Sequence, residues 1–380
     1  MRISTFVIVF SLFLAPVAYW AVADDPARDS FVLHPGPSHW RIENCEAEFL
    51  TGGTIRGKNG NGWLRSVHLY QDFVLELDWK PETPGFYDAG VFFRASAPPS
   101  GEPWPDFFQV NLKSGAEAVL KNTQVELSTS PQMRAGDWNH LKISVKGKSA
   151  DCEVNSRLVW KSHSINQPSG YIALQVEEPK GGVILYRDVK ITELNSENLL
   201  VSNLDGWQTA EGDAAACWKR EGDELVCTGA KGPWLRYSKP VKDFNLRLDY
   251  LLKEGGNSGV YVRVPEDGNH HGAAAGIEVQ ILDDASTRYQ ELKPYQYSGS
   301  LYAIVPADPR VTRRAGEWNC LEIDCRGDQY IIWQNGVEVL RANGASAPEL
   351  LERRLEGFLG LQNHSEEVRF RNIRLSTTSS

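Results

Sequence analysis

The stretch KDFNLRLDY at residues 242–250 decides the fold, because apolar side chains occupy every second position from residue 244 to residue 250. An alternation with a period of two predicts a β-strand with one face in the core and the other in a polar environment. The stretch QDFVLELDW at residues 71–79 repeats the alternation and more than half of the letters. The chain therefore contains this predicted strand twice.

Four further pairs of segments recur in the same order, which indicates a repeated structure. The pairs are residues 88–94 with 257–263, 136–139 with 316–319, 170–175 with 357–362, and 186–189 with 370–373. The spacing between the copies varies along the chain, as expected when insertions accumulate in loops. We therefore expect two domains of the same fold, at residues 24–195 and 203–376.

Short segments with strand alternation, separated by Gly, Pro, Asn and Asp, fill both copies. Helical periodicity is scarce, and the best helix candidate is the short charged segment 347–355. Asn155-Ser156 and Asn335-Gly336 lie at matching positions between two strand patterns, which is typical of β-hairpins. The sequence thus predicts an all-β chain of two tandem antiparallel β-sandwiches.

Chain length and charge indicate the number of domains and exclude one class of binding partner. The length of 380 residues favours two domains over one, and the net charge is −9. The pI is near 5.5, and no run of basic residues occurs. Proteins that bind nucleic acids neutralise phosphates with clustered positive charges, so we expect no nucleic-acid partner.

The first 23 residues have the pattern of a secretory signal peptide. Arg2 precedes an apolar run, and Ala21-Val22-Ala23 provides small residues before a cleavage point at Asp24. We expect cleavage and a periplasmic or secreted protein. The alternative is an uncleaved membrane anchor, although the run is short and contains Pro16. The remaining sequence has no other apolar stretch of spanning length, so no membrane insertion is expected after signal removal.

Six cysteines lie in the expected mature part of the chain, where an oxidising compartment permits up to three disulfide bonds. They are Cys45, Cys152, Cys217, Cys227, Cys320 and Cys325. No pair has the C-x-x-C spacing of zinc or thioredoxin-type sites. The two copies share no cysteine position, which suggests a bond between Cys45 and Cys152 in the first copy but leaves the pairing open.

Three predicted strands of the second copy place polar side chains on the face opposite their core residues. These side chains are Tyr261 and Arg263, Glu278 and Gln280, and Gln362 and His364. A carboxylate, a guanidinium and an imidazole on one concave sheet could act as base, anion stabiliser and acid. Since antiparallel sheets often have a polar solvent face, the alternation alone is equally compatible with an ordinary surface.

The two copies differ at the ionisable positions and agree at the positions that repeat the fold. The counterparts of Glu278, Gln280, Asp283 and His364 are Gln109, Asn111, Ser114 and Glu177, and only Arg263 has an identical counterpart, Arg94. We therefore expect chemistry in the second copy and a catalytically inert first copy that serves as a binding or spacing module. The alternative is ordinary drift of surface residues.

The loop from residue 284 to residue 302 carries four tyrosines. They are Tyr289, Tyr295, Tyr297 and Tyr302. Aromatic rings in such a loop can stack on sugar rings at the rim of a site, although loop tyrosines more often serve packing. Tyr302 is the one that we include in the candidate site.

The second copy resembles the 3-keto-disaccharide hydrolase domain family, whose fold is a concanavalin A-like or laminin-G-like jelly roll. The resemblance rests on residues 204–207, 243–244, 257–263, 276–283, 298–302, 316–319, 335–336, 361–364 and 370–373. The first copy resembles the family more faintly, at Phe73, residues 90–94, Trp138-Asn139 and Leu174-Gln175, and departs from it at Gln109, Ser114 and Glu177.

The resemblance implies cleavage of glycosides that carry a ketone at sugar carbon 3. This ketone makes the hydrogen on carbon 2 acidic, so a base can remove it, the carbon 1 substituent can leave, and water can add afterwards. The implied roles are Glu278 as base, Arg263 as enolate stabiliser and His364 as proton donor or sugar ligand. Tyr261, Gln362 and Tyr302 would contact the sugar. Gln280 and Asp283 would orient substrate or bind a divalent cation, although no ligand spacing demands a metal.

Three other interpretations are compatible with the sequence. The same concave face could bind carbohydrate without chemistry, as in a lectin. Glu278 and Asp283 could act as the two carboxylates of a direct glycoside hydrolase. Structural adhesion through two sandwich modules is the third, and no sequence feature favours it.

Overall fold

The structure is a computed structural model. It describes residues 30–36, 38–96, 106–200, 204–209, 212–269 and 275–377. The expected signal peptide at residues 1–23 lies outside these residues, so its cleavage stays a prediction. Within the described segments, no helix has the length and apolar character needed to cross a lipid bilayer.

The first copy contributes fifteen described strands. These are β1 (Ser30–Val32), β2 (Trp40–Glu43), β3 (Glu46–Phe49), β4 (Ile55–Lys58), β5 (Gly60–Ser66), β6 (Phe73–Pro81), β7 (Gly90–Ala95), β8 (Phe108–Asn111), β9 (Leu120–Lys121), β10 (Glu126–Leu127), β11 (Asn139–Lys146), β12 (Ser149–Val154), β13 (Arg157–Ser162), β14 (Tyr171–Glu178) and β15 (Ile184–Glu193).

The second copy contributes thirteen described strands and four short 3-10 helices. The strands are β16 (Glu197–Asn198), β17 (Trp207–Gln208), β18 (Trp218–Glu221), β19 (Glu224–Thr228), β20 (Leu235–Tyr237), β21 (Phe244–Leu252), β22 (Asn257–Val264), β23 (Ile277–Leu282), β24 (Asn319–Arg326), β25 (Gln329–Gln334), β26 (Val337–Ala342), β27 (Phe358–Leu361) and β28 (Glu367–Thr377). The 3-10 helices are Ala214–Ala216, Thr287–Tyr289, Pro294–Gln296 and Pro348–Glu352. The helix candidate at 347–355 thus forms only a short 3-10 helix, which begins at a proline suited to a first turn.

Both copies have the same arrangement of two antiparallel sheets. One sheet has the order β10-β13-β12-β11-β6-β15-β4-β3 in the first copy and β26-β25-β24-β21-β28-β19-β18 in the second. The facing sheet has the order β2-β5-β14-β7-β8-β9 in the first copy and β17-β20-β27-β22-β23 in the second. Even the extra strands correspond, because β1 pairs with β15 and β16 pairs with β28. The predicted tandem β-sandwiches are confirmed.

Each sandwich has its core between its two sheets. Along β6, buried and half-buried residues alternate as predicted, and Phe73 and Trp79 are almost fully buried. Phe244 and Tyr250 occupy the same places on β21. Fully burying one such large apolar side chain contributes roughly 1.5–3 kcal/mol. The alternation in the sequence therefore encodes the core of both copies.

The polar face of β21 is buried as well, because the first sandwich packs against it. Arg247 and Asp249 are at most 8% exposed. Asp249 Oδ2 lies 2.8 Å from His39 Nε2 of the first sandwich, and Arg247 Nη2 donates to the carbonyl oxygen of Leu69 at 2.7 Å. Charged groups on the predicted polar face of this strand thus form part of the contact between the two sandwiches.

All six cysteines are free thiols, so the suggested bond between Cys45 and Cys152 is wrong. Cys152 lies on β12 in the core of the first sandwich, whereas Cys45 directly precedes β3. Four strands separate β12 from β3 in the sheet. Two cysteines need Cα atoms within about 7 Å to form a disulfide, and neighbouring strands alone are about 4.8 Å apart.

Candidate active site

A cavity of about 450 Å³ opens on the outer face of the sheet β17-β20-β27-β22-β23. Six of the eight residues predicted for the site line it, namely Tyr261, Glu278, Gln280, Tyr302, Gln362 and His364. They come from β22, β23, the loop after β23 and the segment that directly follows β27. The structure therefore brings these six side chains together, five that the alternation placed on one face and Tyr302 from the loop.

Glu278 lies in the wall of the cavity, directly opposite Tyr261 across the β22–β23 pair. Its carboxylate covers Gly259, and a Cβ atom added to that glycine would lie 2.5 Å from Oε1 of Glu278. Burial raises the pKa of Glu278 to about 7, although the nearby Gln362 amide acts in the opposite direction. A carboxylate with a pKa near neutrality is suited to act as a general base.

Amide and hydroxyl groups hold the residues beside Glu278. Gln362 Nε2 donates to the hydroxyl oxygen of Tyr261 at 2.8 Å. Burial raises the pKa of Tyr261 well above its usual range, so this hydroxyl stays neutral. Gln280 Nε2 donates to Asn257 Oδ1 at 3.0 Å. The wall thus combines one carboxylate with neutral donors and acceptors of the kind that sugar hydroxyls need.

His364 lies at the open side of the cavity and is 49% exposed. Its Nδ1 is 3.0 Å from Glu366 Oε2, and the other oxygen of Glu366 accepts from Arg288 Nη1 at 3.1 Å. A carboxylate at Nδ1 fixes the ring orientation and leaves Nε2 for the cavity. Glu366 is therefore a positioning residue that the sequence reasoning missed, although it lies only two positions after His364.

Tyr302 is the only described tyrosine of its loop that lines the cavity. Its backbone N–H donates to the carbonyl oxygen of Glu278 at 2.8 Å, which fixes it beside the carboxylate strand. Its hydroxyl accepts from Gln296 Nε2 at 3.1 Å. Tyr289 and Tyr297 pack instead into a small buried cluster. One predicted rim tyrosine therefore reaches the site, and these two serve packing.

The prediction that Arg263 shares the face of Tyr261 is wrong. Arg263 has φ +56° and lies at a register shift between β22 and β27, where a β-bulge breaks the alternation of side chains. Its side chain is 1% exposed, and its guanidinium donates to the hydroxyl of Tyr330 at 2.7 Å and to the carbonyl oxygen of Lys242 at 3.2 Å. Arg263 therefore closes the end of the sandwich and does not reach the cavity.

Arg94 does the same in the first copy. It has φ +45° and donates to the carbonyl oxygens of Gln71 and Gly147. The identity of this arginine in both copies thus reflects the fold. A residue that both the candidate active copy and its degenerate counterpart retain is a poor candidate for chemistry.

The placement of Asp283 in the site is also wrong. It is 4% exposed, does not line the cavity, and accepts a hydrogen bond from the backbone N–H of Gly255 at 2.9 Å. Glu278 is then the only carboxylate among the described residues that line the cavity, so the two-carboxylate geometry of direct hydrolysis is not formed there. Gln280 and Asp283 likewise do not form a cation site.

One group of three potential metal ligands occurs within the described parts of the chain, and it lies elsewhere. It consists of His39, Asp249 and Cys320 between the two sandwiches. Asp249 Oδ2 there already accepts from Arg371 Nε at 3.1 Å and from Asn372 Nδ2 at 2.8 Å. An arginine bound to the same carboxylate disfavours a cation at this place.

Comparison with known proteins gives the family. Residues 35–192 and 198–376 match the family model of the 3-keto-alpha-glucoside-1,2-lyase-like domain. The chain belongs to this family. The 3-keto-disaccharide hydrolase of Bacteroides thetaiotaomicron is 30% identical over 175 residues, which are 37% of this chain and 60% of that relative. This chain therefore spans 60% of the length of the curated relative that it matches.

Solved structures similar to part of the chain include two proteins of Parabacteroides distasonis, both provisionally named glycosyl hydrolases. The first is 24% identical with a TM-score of 0.42, and the match covers 48% of this chain and 99% of that protein. The second is 20% identical with a TM-score of 0.41, and covers 49% of this chain and 94% of that protein.

The first 3-keto-alpha-glucoside-1,2-lyase-like domain of the chain repeats the site without its carboxylate. Gln109 pairs with Phe92 as Glu278 pairs with Tyr261, and Gln109 lies over Gly90 as Glu278 lies over Gly259. Gln109 Nε2 donates to Gln175 Oε1 at 2.6 Å. An amide cannot act as a general base, so the first domain has no basic group at the position equivalent to Glu278.

The face of the first domain is also filled. The ring of Phe107 packs on that of Phe92 at 4.5 Å between centroids, whereas the counterpart of Phe107 in the second domain is Gly276. Trp63 beside them is fully buried. Its counterpart Trp234 lines the cavity of the second domain. The sequence reasoning missed Trp234, although the letters WLR at 63–65 and 234–236 mark it in both copies.

Substitution of the glycine under the carboxylate is the first expected test of this geometry. Gly259→Ala should lower kcat/KM by about 100-fold, because the new methyl group displaces Glu278 by about 1 Å or more. Gly90→Ala is the matched control, since an added Cβ there collides with Gln109 in the same way. The control should lose comparable thermal stability and keep its activity. Equal activity in both variants would show that the position of Glu278 does not matter.

Proposed function

We propose that this chain is an exported enzyme that cleaves 3-keto-glycosides, including 3-keto-disaccharides, in its second domain. The observation that carries the proposal is Glu278, a carboxylate with a pKa near 7 in the wall of a cavity of sugar-binding character. Family membership and the name of the Bacteroides thetaiotaomicron relative support the substrate class.

The reaction begins when Glu278 removes the hydrogen on sugar carbon 2. The electron pair of the broken C–H bond moves into an enolate whose negative charge lies on the oxygen at carbon 3. Because Arg263 is buried at the end of the sandwich and does not reach the cavity, neutral donors take the role of enolate stabilisers. The Tyr302 hydroxyl and the Asn257 side-chain amide line the same cavity as Glu278 and can donate to this oxygen.

The bond from carbon 1 to the glycosidic oxygen breaks next. The enolate electrons form a double bond between carbons 1 and 2, and the pair of the broken bond leaves with the glycosidic oxygen. His364, oriented by Glu366, donates the proton that this oxygen needs. Water then adds at carbon 1 and a proton returns to carbon 2. The net reaction consumes one water and yields the 3-keto sugar and a free alcohol.

Incubation of the purified protein with 3-keto-trehalose and with a chromogenic 3-keto-glucoside tests the function. The proposal expects release of the second sugar or of the chromophore, and no release from the same glycosides without the ketone. Saturable binding of the 3-keto compounds without release would instead establish a lectin. Parallel samples with a chelator test a divalent cation, and the proposal expects equal rates, since side chains of the chain carry every proposed proton transfer.

The pH dependence follows from the state of Glu278. The base must be ionised, and burial raises its pKa from 4.5 to about 7. We therefore expect kcat/KM to fall about tenfold for each pH unit below about 7, where an ordinary carboxylate would stay active to about pH 5. A profile that stays flat down to about pH 5 would contradict the assigned role of Glu278.

Export is the part of the proposal that rests on residues 1–23 alone. Expression of the full chain in a Gram-negative host, followed by fractionation, tests it. We expect the protein in the periplasm or the medium with Asp24 as its first residue. Protein that stays in the cytoplasm or membrane with Met1 retained would contradict export with cleavage.

A further inference from the structure

We propose that Trp234 is the platform for the second sugar of a disaccharide substrate, the sugar that leaves, while the reacting ring lies between Glu278 and Tyr302. The inference rests on the proposed function and adds an orientation of the substrate across the sheet. Four observations carry it: the positions of the two ends of the cavity, the support under the indole, the place of the proton donor, and the contrast with the first domain.

The two ends of the cavity are defined by the order of the strands. Trp234 directly precedes β20, and Glu278 lies on β23. The sheet runs β20-β27-β22-β23, so three strand spacings, or about 14 Å, separate the two backbones. The backbone N–H of Tyr302 donates to the carbonyl oxygen of Glu278, so Tyr302 lies on the side of β23 that faces away from β22. The base and the backbone of Trp234 therefore lie at opposite ends of this row of strands, and the indole extends from its end over β27.

The indole of Trp234 has rigid support. It rests on the backbone of Gly360 on β27, where an added Cβ atom would collide with its ring. Its ring also meets that of Tyr261 edge to face, at 5.3 Å between centroids and 79° between planes. A flat aromatic surface held in this way can pack on the C–H face of a sugar ring, and a fixed ring loses little conformational entropy on binding.

The proton donor lies where this orientation needs it. Asn363 Nδ2 donates to the carbonyl oxygen of Ala230 at 2.9 Å, which ties the end of β27 to the segment before Trp234. His364 follows Asn363 and lines the cavity, and β27, which precedes both residues, lies between the strand next to Trp234 and the strands of Tyr261 and Glu278. The glycosidic oxygen of a disaccharide lies between its two rings. A donor on the Trp234 side of Glu278 is therefore near the atom that has to be protonated.

The first domain lacks the platform, which argues that Trp234 is not there for the fold alone. Ala173 stands in the place of Gly360. Trp63, in the place of Trp234, is fully buried and donates from Nε1 to Glu43 at 2.9 Å. The tryptophan of the domain that lacks the base is thus covered within a small cluster on its sheet face, and that of the domain with the base lines the cavity.

The test compares two substrates that share the reacting ring and differ in the leaving group, 3-keto-trehalose and methyl 3-keto-α-glucoside. Trp234→Ala should raise KM for the disaccharide about 10-fold or more and leave KM for the methyl glycoside within about twofold. Trp234→Phe should restore most of the disaccharide KM. The control Trp138→Ala removes a partly buried tryptophan of the first domain that packs on Arg187. It should change neither KM value.

The outcomes separate this inference from the proposed function. An equal rise of both KM values would place the reacting ring on Trp234, and no rise would remove Trp234 from the site; either result overturns the inference. If the parent protein turns over neither substrate, the proposed function fails. In that case, calorimetry of 3-keto-trehalose binding to the parent and to Trp234→Ala still tests the subsite. Weaker binding by the variant supports the subsite, and equal binding overturns it.

Discussion

Glu278→Gln is expected to lower kcat by about 10⁴-fold and to leave the affinity for 3-keto sugars almost unchanged. The amide has the shape of the carboxylate but cannot accept the carbon 2 proton, and the loss of a general base costs up to about 10⁴-fold. Folding is not at risk, because the first domain already carries Gln109 in the same niche over a glycine. The substitution makes the second domain resemble the first at this position.

Two measurements check this expectation: product release at saturating substrate, and the dissociation constant from calorimetry. The matched control is Gln109→Glu, which makes the reverse change at the equivalent position of the first domain and should leave kcat unchanged. Equal loss of turnover and of affinity in Glu278→Gln would mean that Glu278 only binds sugar. Retained turnover would remove it from the chemistry.

Asp249→Ala is expected to lower the free energy of unfolding by about 3–5 kcal/mol. Burial alone would raise the pKa of Asp249, but His39 and Arg371 together hold it well below its usual range. Its carboxylate lies 2.8 Å from His39 Nε2 and 3.1 Å from Arg371 Nε. Removal of the carboxylate leaves the buried Arg371 guanidinium without its counter-charge and the buried His39 ring without its hydrogen-bond partner.

Chemical denaturation of the parent and the variant measures this loss. Glu338→Ala is the control, because Glu338 pairs with Arg341 at the surface and such pairs contribute at most about 1 kcal/mol. A carboxylate with a lowered pKa contributes stability that is present above about pH 4 and is lost as the pH falls. The difference between parent and Asp249→Ala should therefore shrink in acid. A loss below about 1 kcal/mol at neutral pH would contradict the account of the interface.

The sandwiches can be predicted from the sequence because the pattern that specifies each strand lies within a few neighbouring residues. Alternation along 71–79 and 242–250 identifies the core face of two central strands, and the repeated order of landmarks identifies the duplication. The same alternation correctly predicts that Glu278, Gln280 and Gln362 share one face, because the described pairings of β23 with β22 and of β27 with β20 have a regular register. Where a strand keeps a regular register, the face of each side chain follows from its position.

Arg263 shows where this reasoning ends. A bulge with positive φ turns its side chain into the interior, and no letter pattern around residue 263 announces the bulge. The interface shows a second limit. Arg247 and Asp249 occupy polar positions of an alternating strand, and only the docking of the first sandwich buries them. Local periodicity distinguishes two faces of a strand, but it does not reveal which face a distant part of the chain will cover.

The origin of the hydrogen at carbon 2 tests the central claim most directly. When the purified protein cleaves 3-keto-trehalose in D₂O, base removal and later return of this proton predict a product with deuterium at carbon 2, above the exchange seen with Glu278→Gln or without protein. Direct displacement at carbon 1 leaves the carbon 2 hydrogen in place. Released 3-keto-glucose that carries only protium at carbon 2 would contradict the account.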